Sequence, residues 1–405
     1  MTYQANRQDV VNLGVIGLGR GFMLTLPSLL SHPQISLRAA TSSRAEARQD
    51  FSNQFNALSY KTYDELLNND LIDMVYVATP HEQHADHTVA ALRAGKHVLL
   101  EKPISISMED ADRIVAAEQG SNKTVIIGPS HSFDPAIQIA FKMISDGDFG
   151  SVKMIHSAYY TDFMYRPRRP EELESQTGGV LFSQGAHQFD IARFLAGGEA
   201  ESIIGTTFIY DPKRRASGAY TCQIRFSNKA TASLVYSGYD HFLSDMEVGG
   251  ISELGSKVAK ISGAARSKIR GLTPEEEMSL KKDRGYNADQ NLPMTDSNEH
   301  FGRWVVSLEK ADMIIEPEHI DLYTDNGKSR IDIPVQVGTR QNVCQSMVDL
   351  VLHDIKPVQT ASWGRATLEC CLALLESNET GTTLKLQKQV PARQFPEKND
   401  SRNLS

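Results

Sequence analysis

The chain has 405 residues, 40% hydrophobic and 23% charged, with a formal net charge of −8 at pH 7. That length predicts more than one domain, the acidic balance without a long basic run argues against a nucleic-acid partner, and no stretch reaches the length of a membrane span. The opening MTYQANRQDV lacks the regions of a secretion signal, and Cys222, Cys344, Cys370 and Cys371 show no paired metal spacing, so we expect a cytoplasmic protein with no metal centre.

Strand-like and helix-like segments alternate through the first third. VVNLGVIG (10–17) reads as a strand ending in glycine. A helix follows over 21–31, where Pro27 predicts a kink or an early stop. ISLRAAT (35–41) is a second strand and 44–55 a helix. LIDMVYVATP (71–80) is an apolar run closed by proline, and 82–95 an amphipathic helix ended by Gly95. KHVLLEKP (96–103) is a buried strand whose end carries Glu101, Lys102 and Pro103. A helix near 107–119 and TVIIG (124–128) complete the pattern. Strands apolar on both faces, with helices between them, predict an α/β domain with a doubly wound parallel sheet over residues 1–130.

The rhythm changes after about residue 130. A helix near 135–146 leads to alternating stretches at 152–160, 201–210, 218–226 and 229–239. Strands in succession predict a large, mostly antiparallel sheet, so residues 131–390 read as an α+β domain for substrate and for subunit contacts. Residues 250–300 are polar and read as a surface insertion or flexible loop. Helical periodicity returns at 338–377, and residues 391–405 read as a flexible tail.

GVIGLGRGF (14–22) sets Gly17 and Gly19 at a strand-to-helix turn. Glycine there lets the backbone approach a pyrophosphate, and the helix start supplies N–H donors. We assign Gly17, Gly19, Arg20 and Phe22 to cofactor contact, although Phe22 stands where a third glycine is usual. A carboxylate at the end of the second strand would select NAD by holding the ribose 2′-hydroxyl. Here Ser42, Ser43 and Arg44 stand there instead, which suits a 2′-phosphate, so we expect NADP in preference to NAD.

VYVATPHEQHADHTVAALRAGKHVLLEKP (75–103) resembles the signature of the Gfo/Idh/MocA oxidoreductases, through Thr79-Pro80, His84, Gly95 to Val98 and Glu101-Lys102-Pro103. The likeness continues through GDFGSV (147–152) and GGVLFSQGAHQFDIARFLAG (178–197). It implies an N-terminal Rossmann domain, NAD(P)-dependent dehydrogenation, and an open second sheet that packs against another subunit in a homo-oligomer, dimer or tetramer. Thr79, Pro80, His84, Glu101 and Lys102 would then face the cofactor. Lys102 and His187 would be the catalytic pair, with Pro103 fixing the turn, through a cis bond in some relatives. Members commonly carry an aspartate four residues before that histidine, and this chain has Ser183. Asp190, three residues after it, could touch the same helical face or pack between domains.

His131, Tyr160, Asp162, Tyr165, Arg166, Arg168, Arg169, Ser183, Asp190 and Tyr236 are the candidate substrate residues. Three arginines within four residues suit a carboxylated substrate, and tyrosines suit a flat ring. These stretches, with 357–381, are similar to the phthalate 4,5-cis-dihydrodiol dehydrogenase subgroup, which implies oxidation of a carboxylated ring cis-diol to a catechol. A sugar or cyclitol dehydrogenase, or a nucleotide-binding sensor without turnover, are the alternatives.

Overall fold

The computed structural model describes residues 9–167, 173, 179–257, 261–282, 286, 295–336 and 340–392. Of the expected tail, residues 393–405 lie outside them.

The first sheet is built from β1 (Val11–Ile16), β2 (Ile35–Thr41), β3 (Leu58–Tyr60), β4 (Met74–Val77), β5 (His97–Leu100) and β6 (Val125–Ile127). Their order is β3-β2-β1-β4-β5-β6, and all neighbours are parallel. Every residue of β1, β4 and β6 is buried, because helices cover both faces. The chain winds outward from β1 in one direction and then in the other, leaving a crevice at the carboxyl ends of β1 and β4. The first helix, α1 (Arg20–Ser31), runs through Pro27 without stopping. Pro27 lies on the exposed side, where water can take the carbonyl that loses its N–H.

Among the described residues the second sheet has nine strands, in the order β14-β13-β12-β11-β7-β10-β9-β8-β15. The four anticipated strands are β7 (Val152–Tyr160), β8 (Ala200–Phe208), β9 (Ala219–Phe226) and β10 (Thr231–Ser237). Beyond them the sheet gains β11 (Arg303–Leu308), β12 (Asp312–Ile315), β13 (His319–Thr324), β14 (Gly327–Asp332) and β15 (Leu384–Lys385). Only β7 and β10 run parallel; the other neighbours are antiparallel. Period-two alternation turns Ile155, Ser157 and Tyr159 of β7 inward, and Met154 and His156 outward.

The fully buried Ala186–Ala196 helix lies on the inner face, where Gln188 bonds Ser157, Val235 and Tyr220. The long Ala361–Thr380 helix packs on both β6 and β8 and so ties the two sheets together. The Gln341–His353 helix leaves the second sheet and returns to β1 and α1, adding Val343, Met347 and Val348 to the first core. The polar 250–300 stretch, expected as a surface insertion, is not only surface. It buries Tyr286, Asn298 and His300 and leaves Glu253 half-buried.

Candidate active site

The cofactor edge is built from backbone. Gly17 has φ +98°, and a Cβ there would stand 2.7 Å from the Ala78 carbonyl oxygen. Only glycine fits this turn. Gly19 caps α1 without a side-chain hydrogen bond, and no acid occupies the first turn, so the helix start can take an anion. These features fit a dinucleotide's pyrophosphate. Phe22, expected to meet the cofactor, is instead fully buried and packs on Phe51 and Tyr286. Arg20 is half-buried at the first position of α1.

Arg44 reaches back over the turn and donates to the carbonyls of Leu18 at 2.8 Å and Tyr286 at 3.4 Å. The half-buried Ser42 accepts from the Arg44 backbone at 3.3 Å, Ser43 is exposed, and Glu46 lies in the first turn of the Ala45–Phe55 helix. The rim therefore offers hydroxyls and a guanidinium where an NAD-selective carboxylate would stand.

At the ends of β4 and β5 the signature residues hold one another. Thr79 bonds His87 at 3.1 Å, and exposed Pro80 begins the next turn. His84 was expected to face the cofactor. Instead it is fully buried, with one ring nitrogen 2.9 Å from the Pro103 carbonyl and the other 3.0 Å from that of Thr79. Burial pushes its pKa down, partly offset by those carbonyls. It is a staple between the loops that follow β4 and β5. Glu101 accepts from the Tyr76 hydroxyl at 2.5 Å, and the Lys102–Pro103 bond is cis.

Lys102 Nζ donates to the backbone carbonyl of Ser183 at 2.5 Å. Ser183 lies in a π-helical turn, Leu181–Gly185, that runs directly into the helix bearing His187. A backbone carbonyl thus holds the ammonium, and the Ser183 side chain brings no carboxylate to it. His187 is 5% exposed, and its Nδ1 is buried without a hydrogen-bond partner among the described residues. A buried polar atom of this kind calls for a partner, whether water, an ion or a ligand. Burial, then the charges of Lys102 and His131, hold its pKa well below the ordinary value, so the ring is neutral.

His131 stands beside it, with ring centroids 4.6 Å apart and edge to face, and Phe301 closes the group at 5.1 Å and 5.2 Å from the two rings. His131 Nδ1 is 2.7 Å from Asp134, and Nε2 is 3.8 Å from Glu253. Burial alone would lower its pKa, but the two carboxylates raise it to about 10. Burial also pushes Asp134 up, to about 8. His131 is charged, with Asp134 on one side and Glu253 on the other. One neutral and one charged imidazole therefore stand edge to face. His131, Asp134 and Glu299 bring ligand atoms within 4.8 Å of one another, but Glu299 accepts from the Arg340 backbone and Asp134 from His131, which already account for this cluster.

Other expected substrate residues divide. Tyr236 lies on the inner face, bonded to Thr161 at 2.7 Å and Gln184 at 3.2 Å and stacked on Phe301. Arg166 was read as a carboxylate clamp, but its guanidinium is taken by Asp162 at 2.8 Å and by Glu253 at 2.9 Å. Arg168 and Arg169 lie outside the described residues. Tyr160 points to the outer sheet face against Phe242, away from His187. Tyr165 bonds Asp211 and packs under Arg214 and Arg266. Asp190, expected near substrate, accepts from Ser130 and from the Trp363 indole, so it is a packing carboxylate between elements. Sequence reasoning missed Glu253, Glu299, Phe301 and Arg340; all four come from stretches whose polarity or irregularity concealed burial.

Comparisons with known proteins agree with this geometry. The family model described as "Oxidoreductase family, NAD-binding Rossmann fold" matches residues 11–129, and the "GFO/IDH/MocA C-terminal domain" matches residues 137–250. The chain is similar to 1-carboxy-3-chloro-3,4-dihydroxycyclohexa-1,5-diene dehydrogenase of Comamonas testosteroni, with 37% identity over 377 residues, covering 91% of this chain and 95% of that one. It also resembles a crystal structure from Bordetella bronchiseptica described as a dehydrogenase, at TM-score 0.87 and 30% identity, covering 93% of this chain and all of that one. Levoglucosan dehydrogenase, solved with NADH and levoglucosan, shares the fold at TM-score 0.70 and 15% identity, over 93% and 99% of the two chains. With both domain models matched in succession, and a dehydrogenase alike over nearly its whole length, the chain belongs to the Gfo/Idh/MocA family of NAD(P)-binding oxidoreductases.

Proposed function

We propose that this protein oxidises a carboxylated ring cis-dihydrodiol to a catechol, with NADP as the preferred acceptor. The observation that carries the reading is the Lys102 ammonium, held on the Ser183 carbonyl, together with Nδ1 of His187 four residues on, which has no hydrogen-bond partner among the described residues. Lys102 would donate to the carbinol oxygen and stabilise the negative charge that grows there. Neutral His187 would accept the hydroxyl proton at Nδ1. The bound nicotinamide supplies the acceptor for the hydride that leaves the carbinol carbon. The resulting hydroxy-ketone then tautomerises: the remaining carbinol carbon gives up its C–H proton, the ketone oxygen takes one up, and the ring becomes aromatic. That gain drives the sequence forward, so a weakly basic histidine without an aspartate partner is sufficient. The Comamonas relative, whose name describes a carboxylated dihydroxycyclohexadiene, supports this substrate class.

NADP preference rests on Ser42, Ser43 and Arg44 at the rim of β2. Among the described residues, no helix is long and apolar enough to cross a membrane; we place the enzyme in the cytoplasm, where the dinucleotide pool is. The outward sheet face exposes Met154, Ile204, Phe208 and Tyr323, and we take it as the surface on which copies associate. Light scattering after gel filtration tests that assembly. The activity is tested by following absorbance at 340 nm with benzoate and phthalate cis-dihydrodiols, inositols and hexoses, each with NADP and NAD. We expect kcat/KM for a carboxylated dihydrodiol to exceed that for any sugar by at least about 100-fold. A sugar turned over faster would overturn the assignment.

A further inference from the structure

Arg340 lies outside both matched domain models, at the start of the Gln341–His353 helix that returns to the first sheet. It adopts φ +69°, a left-handed conformation that costs a non-glycine residue free energy and must be held by its contacts. Its backbone N–H donates to Glu299 at 2.6 Å. Its Nη1 donates to Thr25 Oγ1 at 2.7 Å and to the Gly21 carbonyl at 3.4 Å, and stands 3.8 Å from Glu101 Oε1. Among the described residues, the guanidinium's hydrogen bonds run from Nη1.

Glu101 makes this cation necessary. Its carboxylate hangs over the first turn of α1, so close that a Cβ on Gly21 would meet Oε1 at 2.6 Å. That turn is where the pyrophosphate of a dinucleotide belongs. Two anions beside one helix start, partly shielded from water, repel strongly. Arg340 sits at both, from a different part of the chain.

We propose that Arg340 is a cofactor-binding residue: it neutralises Glu101 and donates to the pyrophosphate of the dinucleotide, so that the C-terminal half completes the nucleotide site. The proposal rests on the dinucleotide lying across the glycine turn. Binding of NADPH, by fluorescence, and of ADP-ribose, by calorimetry, is measured for the full-length protein, Arg340→Met, Glu101→Gln and the double variant. Arg340→Met should raise both Kd values at least tenfold. Adding Glu101→Gln should recover threefold or more, since the repulsion it relieves is no longer present. A variant within twofold of the parent overturns the proposal, as does a loss that Glu101→Gln leaves untouched. Should Arg340→Met fail to fold, phenylglyoxal labelling of the parent protein is read by peptide mass. ADP-ribose should slow modification of Arg340 by fivefold or more, and an unchanged rate overturns the proposal. A parent protein that binds no dinucleotide defeats the underlying site assignment instead.

Discussion

In the reaction proposed above, Lys102 and His187 carry the chemistry, and their environments give them different tasks. Lys102→Met should lower kcat by roughly 10²–10⁴-fold while NADPH affinity changes little, because the ammonium acts on the reacting oxygen. Equal losses in cofactor binding would argue that Lys102 only shapes the dinucleotide site. Since His187 is held well below the ordinary histidine range, the pH profile of kcat/KM should show no limb near 6.5 that disappears in His187→Asn. Arg166 illustrates what residue types alone cannot reveal. The sequence shows arginines suited to a carboxylate, but not that Glu253, far along the chain in a polar stretch, folds back to take one of them. Arg166→Ala should therefore act mainly on stability. It strands two half-buried carboxylates and should cost about 3–5 kcal/mol, read as a fall in Tm; a higher KM with unchanged Tm would instead restore Arg166 as a clamp.

At the level of elements, the signals that survived were local ones. The glycine turn, the alternation of buried strands with helices, and the Glu101-Lys102-Pro103 strand end all depend on neighbours in sequence, so they were legible. Gly17→Ala tests that reading: it forces a left-handed alanine against the Ala78 carbonyl and should cost about 1–3 kcal/mol while removing dinucleotide binding. Calorimetry and a dinucleotide titration report the two effects separately. Pro27 misled because its exposure, not its presence, decides whether a helix tolerates it. The strands from Arg303 to Asp332 went unread, although Asp325-Asn326 ahead of Gly327 is a hairpin signal joining β13 to β14. Burial of Tyr286 and His300 could not be seen, because long-range packing overrides the polarity of the residues around them.

Across the whole molecule, the buried charges link folding to pH. His131 has a folded pKa raised from 6.5 to about 10. Its stabilising contribution is complete below about pH 6.5 and fades as the pH climbs towards 10. Glu253, held well below the usual carboxylate range chiefly by Arg166 and His131 against the opposing effect of burial, contributes above about 4.5 and loses that contribution as the solution becomes acidic. Urea midpoints should therefore fall between pH 6.5 and 10, and His131→Gln should flatten that slope. A slope unchanged by the substitution would show that other groups set it.

The Gln341–His353 helix has a further consequence for how the protein is made. Val343, Met347 and Val348 belong to the same core as Val11, Leu13 and Phe22, yet they emerge from the ribosome some two hundred residues after β6, the last strand of that sheet. At bacterial translation speeds that delay is roughly 10–40 s. During it, the nascent amino-terminal half shows water an apolar face that nothing yet covers. A truncated gene ending near residue 135 should accordingly yield inclusion bodies, and supplying the remaining polypeptide in the same cell should return the fragment to the supernatant.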